Sequence, residues 1–257
     1  PQIKTAVVAA PLGKRKGHRH NIWNNKLSAL DFYDAIIIHS YAKVIKGNAV
    51  DGQMIFEESE GQNKTEEFEI YKDRIIDYFD SLYVREVQEY VRLYNKPIWV
   101  TEWNLQMSKT TGNTLLQSFF VAQYILEILA NPSFSSIELT TYHNLGGRDL
   151  SGSIFRNNNG KKEIHSTYYN MIMIGKIFAN NIVQVKKEQD KEVLSYVCYD
   201  KFNKEILRYL IDWQSYKFTC IDNTSKPPYS TTYKSLHLFD TADDLGILDF
   251  KIHKIDK

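Results

Sequence analysis

The residues with most chemical promise lie in KPIWVTEWN at 96–104, where a carboxylate, an indole and an amide follow a short β-branched run. A buried parallel strand that ends in a carboxylate delivers it to the C-terminal edge of the sheet, where such folds build their sites. Glu102 is therefore a candidate nucleophile or acid–base group. Beside it, Trp103 offers an aromatic face for stacking on a sugar ring, and Asn104 offers an amide for hydroxyl groups. A second run, DAIIIHSY at 34–41, spaces His39 and Tyr41 by two residues, so both project from one face of a strand. A phenol and an imidazole next to a carboxylate keep it ionised and oriented for attack. A third run ends in Tyr142, His143 and Asn144, again polar and aromatic together. Each has a plain structural reading: a Glu opening a loop, a core His, an aromatic plug. Three consecutive strand ends of this kind are hard to ascribe to packing alone.

Those groups need strands to carry them. Residues 3–10 (IKTAVVAA) read as a buried strand stopped by Pro11, and 35–39, 97–101 and 137–142 read as three more. Short, near-continuous apolar runs suit parallel strands covered on both faces. Between them, apolar positions such as Ile75, Phe79, Leu82, Val87 and Tyr90 predict one helix over 70–94. A second is predicted over 114–130, with Asn113 as its N-cap and Asn131-Pro132 as its stop, and a third over 166–179 capped by Ser166. Residues 43–69 are polar, acidic and too long for an ordinary connection, which predicts a lid or binding loop. Beyond Asn180-Asn181 the pattern turns to strands over 182–186, 193–199, 205–212, 216–221, 235–239 and 248–252. The expected organisation is α/β over 1–181, then a small antiparallel, sandwich-like β domain over 182–257.

The chain of 257 residues is 43% hydrophobic and 25% charged, with Lys+Arg 32 against Asp+Glu 31 and a net charge of +1. That balance leaves no footprint for a polyanion, so no nucleic-acid partner is expected. No apolar run nears the ~20 residues that span a bilayer, so no membrane partner is expected either. Cys198 and Cys220 are too few for a disulfide scaffold or a four-thiolate zinc site; one bridge and two buried thiols both stay open. His18 and His20 lack a third ligand, and no metal or cofactor is expected. Gly146-Gly147 marks a turn rather than a phosphate cradle, and no G-x-S-x-G elbow points to a serine hydrolase. Glu57, Glu58, Glu60, Glu66 and Glu67 read as a solvated acidic face.

KPIWVTEWN, preceded by DAIIIHSY and followed by a helix and TTYHN, resembles the second half of a clan A glycoside hydrolase barrel. Within that clan the chain is most similar to the α-L-arabinofuranosidase and β-xylosidase type, whose barrel is followed by a β-sandwich. HSTYY at 165–169 loosely resembles the approach to their last barrel helix. The resemblance runs over roughly residues 1–185 and implies a (β/α)8 TIM barrel of which the fifth to eighth strands are present. It implies Glu102 as catalytic nucleophile on the seventh strand, with His39 and Tyr41 of the sixth contacting it. Trp103, Asn104, Tyr142, His143 and Asn144 become expected substrate contacts. The implied activity is retaining hydrolysis of a plant or algal polysaccharide or its oligosaccharides, through a covalent glycosyl-enzyme. That chemistry needs two carboxyls about 5–5.5 Å apart, one attacking and one protonating the leaving oxygen. The family's acid/base Glu follows an Asn at the end of the fourth strand, and no such pair stands at a strand end here. The N-terminal half of the barrel is thus expected from a separate or further segment. A carbohydrate-binding protein with a degenerate hydrolase barrel is the alternative, and a secreted or periplasmic location suits either.

Overall fold

The structure, a computed structural model, describes residues 3–13, 15, 17–50, 54–106, 108–147, 152–189, 193–245 and 250–255. β1 (Ala6–Val8) leads through α1 (Arg19–Ser28) to β2 (Ala35–Ala42), and a hairpin of β3 (Gly47–Val50) and β4 (Met54–Glu57) follows. Next come α2 (Lys64–Asp77), a π turn (Tyr78–Leu82), α3 (Tyr83–Tyr94), β5 (Ile98–Leu105), α4 (Leu115–Ala130) and β6 (Ile137–Tyr142). Short strands β7 (Gly146–Gly147), β8 (Phe155–Asn158) and β9 (Lys161–Ile164) precede α5 (Thr167–Ala179). The tail holds β10 (Ile182–Gln189), β11 (Val193–Asp200), β12 (Glu205–Asp212), β13 (Lys217–Asp222), β14 (Tyr229–Lys234), α6 (Ala242–Leu245) and β15 (Phe250–Lys254). The fold is mixed α/β. Strands β1-β2-β5-β6 pair in parallel in a 4-stranded sheet, and β10 to β15 form a sequential antiparallel 6-stranded sheet.

Several ends differ from the sequence reading. Only Ala6–Val8 of the expected first strand pairs. β5 continues to Leu105, so Glu102, Trp103 and Asn104 lie inside the strand rather than after it. The helix expected over 70–94 starts earlier, at Lys64, where Asn63 Oδ1 accepts from the Glu66 amide at 3.0 Å. The N-cap of α4 is Thr114 rather than Asn113, whose backbone turns left-handed at φ 61°. The Ser166 hydroxyl does not cap α5 but donates to the Thr114 carbonyl at 2.9 Å. The expected loop over 43–69 holds the β3–β4 hairpin and the first turns of α2; its residues 51–53 lie outside the described ones. In the tail, 235–239 is not a strand. Its neighbourhood instead supplies the Leu238 and Asp240 carbonyls that accept from the Leu116 and Leu115 amides, satisfying the start of α4. Of the strand expected over 248–252, residues 248 and 249 lie outside the described ones.

One helix ties the two sheets together. α4 is apolar nearly all round because it is covered on two sides. Towards the parallel sheet, Phe120 and Tyr124 pack among Tyr78, Phe79 and Tyr83, and the Tyr83 and Tyr124 hydroxyls meet at 2.6 Å. Towards the tail, Phe119 meets Trp213 edge-on at 5.2 Å, and Gln123 Oε1 accepts from the Trp213 indole at 3.1 Å. Glu127 Oε1 accepts from the Tyr196 hydroxyl at 2.7 Å and from Lys187 at 2.6 Å. Cys198 and Cys220 are buried free thiols, pushed up to about 12 and about 11 chiefly by burial. The other face of the parallel sheet is open among the described residues, with Val8 59% and Leu139 43% exposed.

Candidate active site

Register decides which side chains can meet. In β2, Ile36, Ile38, Ser40 and Ala42 are buried under the helices, while His39 and Tyr41 face the open side. β5 pairs Val100 with Ile38 and then Glu102 with His39, which leaves Thr101 as an extra residue. This bulge resets the alternation. In a regular strand Glu102 would stand opposite Ser40, on the covered face. With the bulge, Glu102 joins His39 on the open face and Trp103 takes the covered position opposite Ser40. The carbonyl of the bulged Thr101 accepts from the Thr141 hydroxyl of β6, so the irregularity is bonded into the sheet.

The Tyr41 hydroxyl donates to Glu102 Oε2 at 2.7 Å, and His39 Nδ1 lies 3.5 Å from the same oxygen. Burial, then the hydrogen bond to Glu102, holds the Tyr41 phenol above its usual range, so it remains an O–H donor at neutral pH. Among the described residues, Oε1 of Glu102 takes no hydrogen bond. One carboxylate oxygen is thus anchored and the other is free, as a nucleophile requires. The Glu102 and His39 side chains are 38% and 47% exposed, so their pairing orients rather than stabilises. The ring of His143, just after β6, meets the Tyr41 ring edge-on at 6.1 Å.

Glu102, His39, Tyr41 and His143 therefore come together, and the other expected contacts are placed differently. Trp103 is 2% exposed, stacked on Tyr124 at 4.0 Å and edge-on to Tyr142, which leaves no face for a sugar. The bulge sends it there. Asn104 is equally buried, and its amide is taken up by protein partners rather than left for hydroxyls. The Tyr142 hydroxyl donates to the Gly152 carbonyl. Asn144 has its Oδ1 buried, and its carbonyl accepts from the Ile154 amide at 3.2 Å. Of the acids expected as a solvated face, Glu58 and Glu66 are exposed, while Glu60 and Glu67 are drawn partly in. Glu60 is gripped by both terminal nitrogens of Arg74 at 2.7 and 2.6 Å, Glu66 accepts from the Gln62 amide, and Glu67 accepts from the Tyr71 hydroxyl. Sequence reasoning missed Gly152 and Gln117, which surround Asn104; the only signal was a glycine in a polar stretch.

No protein-family model matches the sequence, and no curated protein matches it. Solved structures do match. A GH51 arabinofuranosidase from Xanthomonas axonopodis pv. citri gives a TM-score of 0.51 at 9% identity, over 86% of this chain and 44% of its own. A family 51 α-L-arabinofuranosidase from Bifidobacterium longum gives 0.52 at 8% identity, over 98% of this chain and 54% of its own. The likeness is one of fold. The chain spans about half the length of these structures.

Proposed function

We propose that this chain carries the nucleophile-bearing half of a retaining glycoside hydrolase site, with Glu102 as the nucleophile. The observation that carries this reading is the half-anchored carboxylate: Oε2 held by Tyr41 at 2.7 Å, Oε1 without a hydrogen bond among the described residues. Oε1 attacks the anomeric carbon as the bond to the leaving oxygen breaks, and that oxygen takes a proton from a second carboxyl. Water, deprotonated by the same carboxyl, then releases the sugar with its configuration retained. Tyr41 and His39 hold the Glu102 carboxylate in place and aimed, and His143 walls the cleft.

The second carboxyl belongs about 5–5.5 Å from Glu102. Parallel strands are ordinarily covered on both faces, and free edges invite pairing. We read the outer edges of β1 and β6 as seats for further βα units that close a barrel and bring in the acid/base group. Residues 1–181 then form half of that barrel, and 182–257 a sandwich-like appendage. Plant or algal polysaccharides and their oligosaccharides are the substrate class, with α-L-arabinofuranosides the first to try in view of the structural neighbours.

A 2,4-dinitrophenyl α-L-arabinofuranoside tests the reading, because its leaving group needs little protonation. Glu102→Ala is expected to lower dinitrophenol release by about 10³-fold or more, with azide restoring turnover by attacking in its place. Release by Glu102→Ala at the wild-type rate would contradict the assignment. So would glycan binding by the wild type with no release.

A further inference from the structure

Asn104 stands two residues beyond Glu102 on β5, is 2% exposed, and engages both ends of its amide. Nδ2 donates to the His143 carbonyl at 2.5 Å and lies 3.3 Å from both the Tyr142 hydroxyl and the Gly152 carbonyl. Oδ1 accepts from the Leu105 amide at 2.7 Å and from Gln117 Nε2 at 3.2 Å. Gly152 is shaped to this side chain. At its φ of +154°, an added Cβ would stand 2.4 Å from Asn104 Nδ2 and 3.0 Å from Gln117 Nε2. Gln117 Oε1 in turn accepts from the Asn113 amide at 2.7 Å, and Asn113 Oδ1 accepts from the Ser166 amide at 2.8 Å. The node thus joins β5, the end of β6, the Gly152 segment and the starts of α4 and α5. Buried networks satisfied in this way hold one geometry and lose it sharply when a partner is removed.

The effect reaches the carboxylate by contact. The His143 carbonyl is held by Asn104 and its amide donates to the Trp103 carbonyl at 3.2 Å, so its backbone is fixed from both sides. Its ring abuts Tyr41, and Tyr41 holds Glu102 Oε2. We propose that Asn104 is a positioning residue: it fixes His143 as a wall of the cleft against Tyr41, and so sets how tightly the cleft holds a ligand it does not itself touch. The kinetic consequence rests on the glycosidase reading; the geometric one does not.

Asn104→Asp keeps the shape and one acceptor oxygen but turns the donor end into an oxygen facing three other oxygens. In the full chain, the imidazole resonances of His143 are expected to shift and broaden in this variant while those of the distant His253 stay put. With the dinitrophenyl arabinofuranoside, KM is expected to rise about tenfold with kcat within about threefold. The acid limb of the pH profile is expected to stay unchanged. A merely structural role would lower the active fraction, and hence kcat, with KM unaltered. Gly152→Ala, which displaces Asn104 from the other side, should give the same signature and stands in if the first variant does not fold. Unchanged His143 resonances in the folded variants, or a fall in kcat alone, would overturn the proposal. If even the wild type does not hydrolyse the glycoside, the glycosidase reading falls and the resonances still decide the role of Asn104.

Discussion

On the helix-covered face of the parallel sheet, Ile36, Ile38, Val100 and Trp103 are all but dry, while the same strands present His39, Tyr41 and Glu102 to the open side. Both faces are fed by one alternating backbone, so the period of two separates what folds the protein from what can do chemistry. The separation is not automatic at Glu102. One extra residue, Thr101, decides that the carboxylate joins the open face and the indole joins the core. Conserving the motif letters without the bulge would exchange those two roles. A strand-end motif is therefore informative about chemistry only once its register is known.

The difference between the faces can be broken most forcefully at Trp103. Trp103→Ala removes a stacked, buried side chain and is expected to lower unfolding stability by about 3–5 kcal/mol in urea titrations. A ligand-side tryptophan would instead cost affinity and leave stability intact. A smaller loss is expected where the hairpin is fastened to α2. There Arg74, before other causes, holds the Glu60 carboxyl down to about 2 from an ordinary 4.5. A depressed folded value means stabilisation that is complete above the unfolded value and lost as pH falls from about 4.5 towards 2. Glu60→Gln is expected to cost about 1–3 kcal/mol at neutral pH and to flatten that acid slope. Parallel slopes for variant and wild type in urea midpoints across this range would show the pair to be idle. On the open face, Tyr41→Phe is expected to change stability by under about 1 kcal/mol, since the pair is solvated, while slowing the proposed hydrolysis by about 10- to 100-fold. Leu139→Thr should matter least in this chain by itself, within about 0.5 kcal/mol by thermal melts, because the residue is 43% exposed on the open face. A large loss there would mean that the further βα units already cover this face.

Much of this was legible in the residues. The β-branched runs marked all four parallel strands, and 137–142 matched its strand end to end. Spacing alone put His39 and Tyr41 on one face, and the Glu102 motif stood out by its position. What failed to show was anything that depends on tertiary bonding. A bulge leaves no mark in composition, so Trp103 and Asn104 were read as ligand contacts when the chain turns them inward. The alternating SLHLF at 235–239 looks like a strand, yet its segment is held by the first amides of α4. The strand that does form, YSTTYK, is polar and follows two prolines. Glu60 reads as solvated from the sequence because Arg74, which binds it, lies 14 residues further on, on α2.

The assignment of Glu102 is tested most directly by trapping it. A 2,4-dinitrophenyl 2-deoxy-2-fluoroglycoside provides a leaving group that departs without a proton, and its fluorine slows release of the glycosyl-enzyme. After incubation and proteolysis, mass spectrometry is expected to find the fluorosugar on the peptide containing Glu102, bound through its carboxylate. Label on another carboxylate, or dinitrophenol release with Glu102 unmodified, would contradict the account.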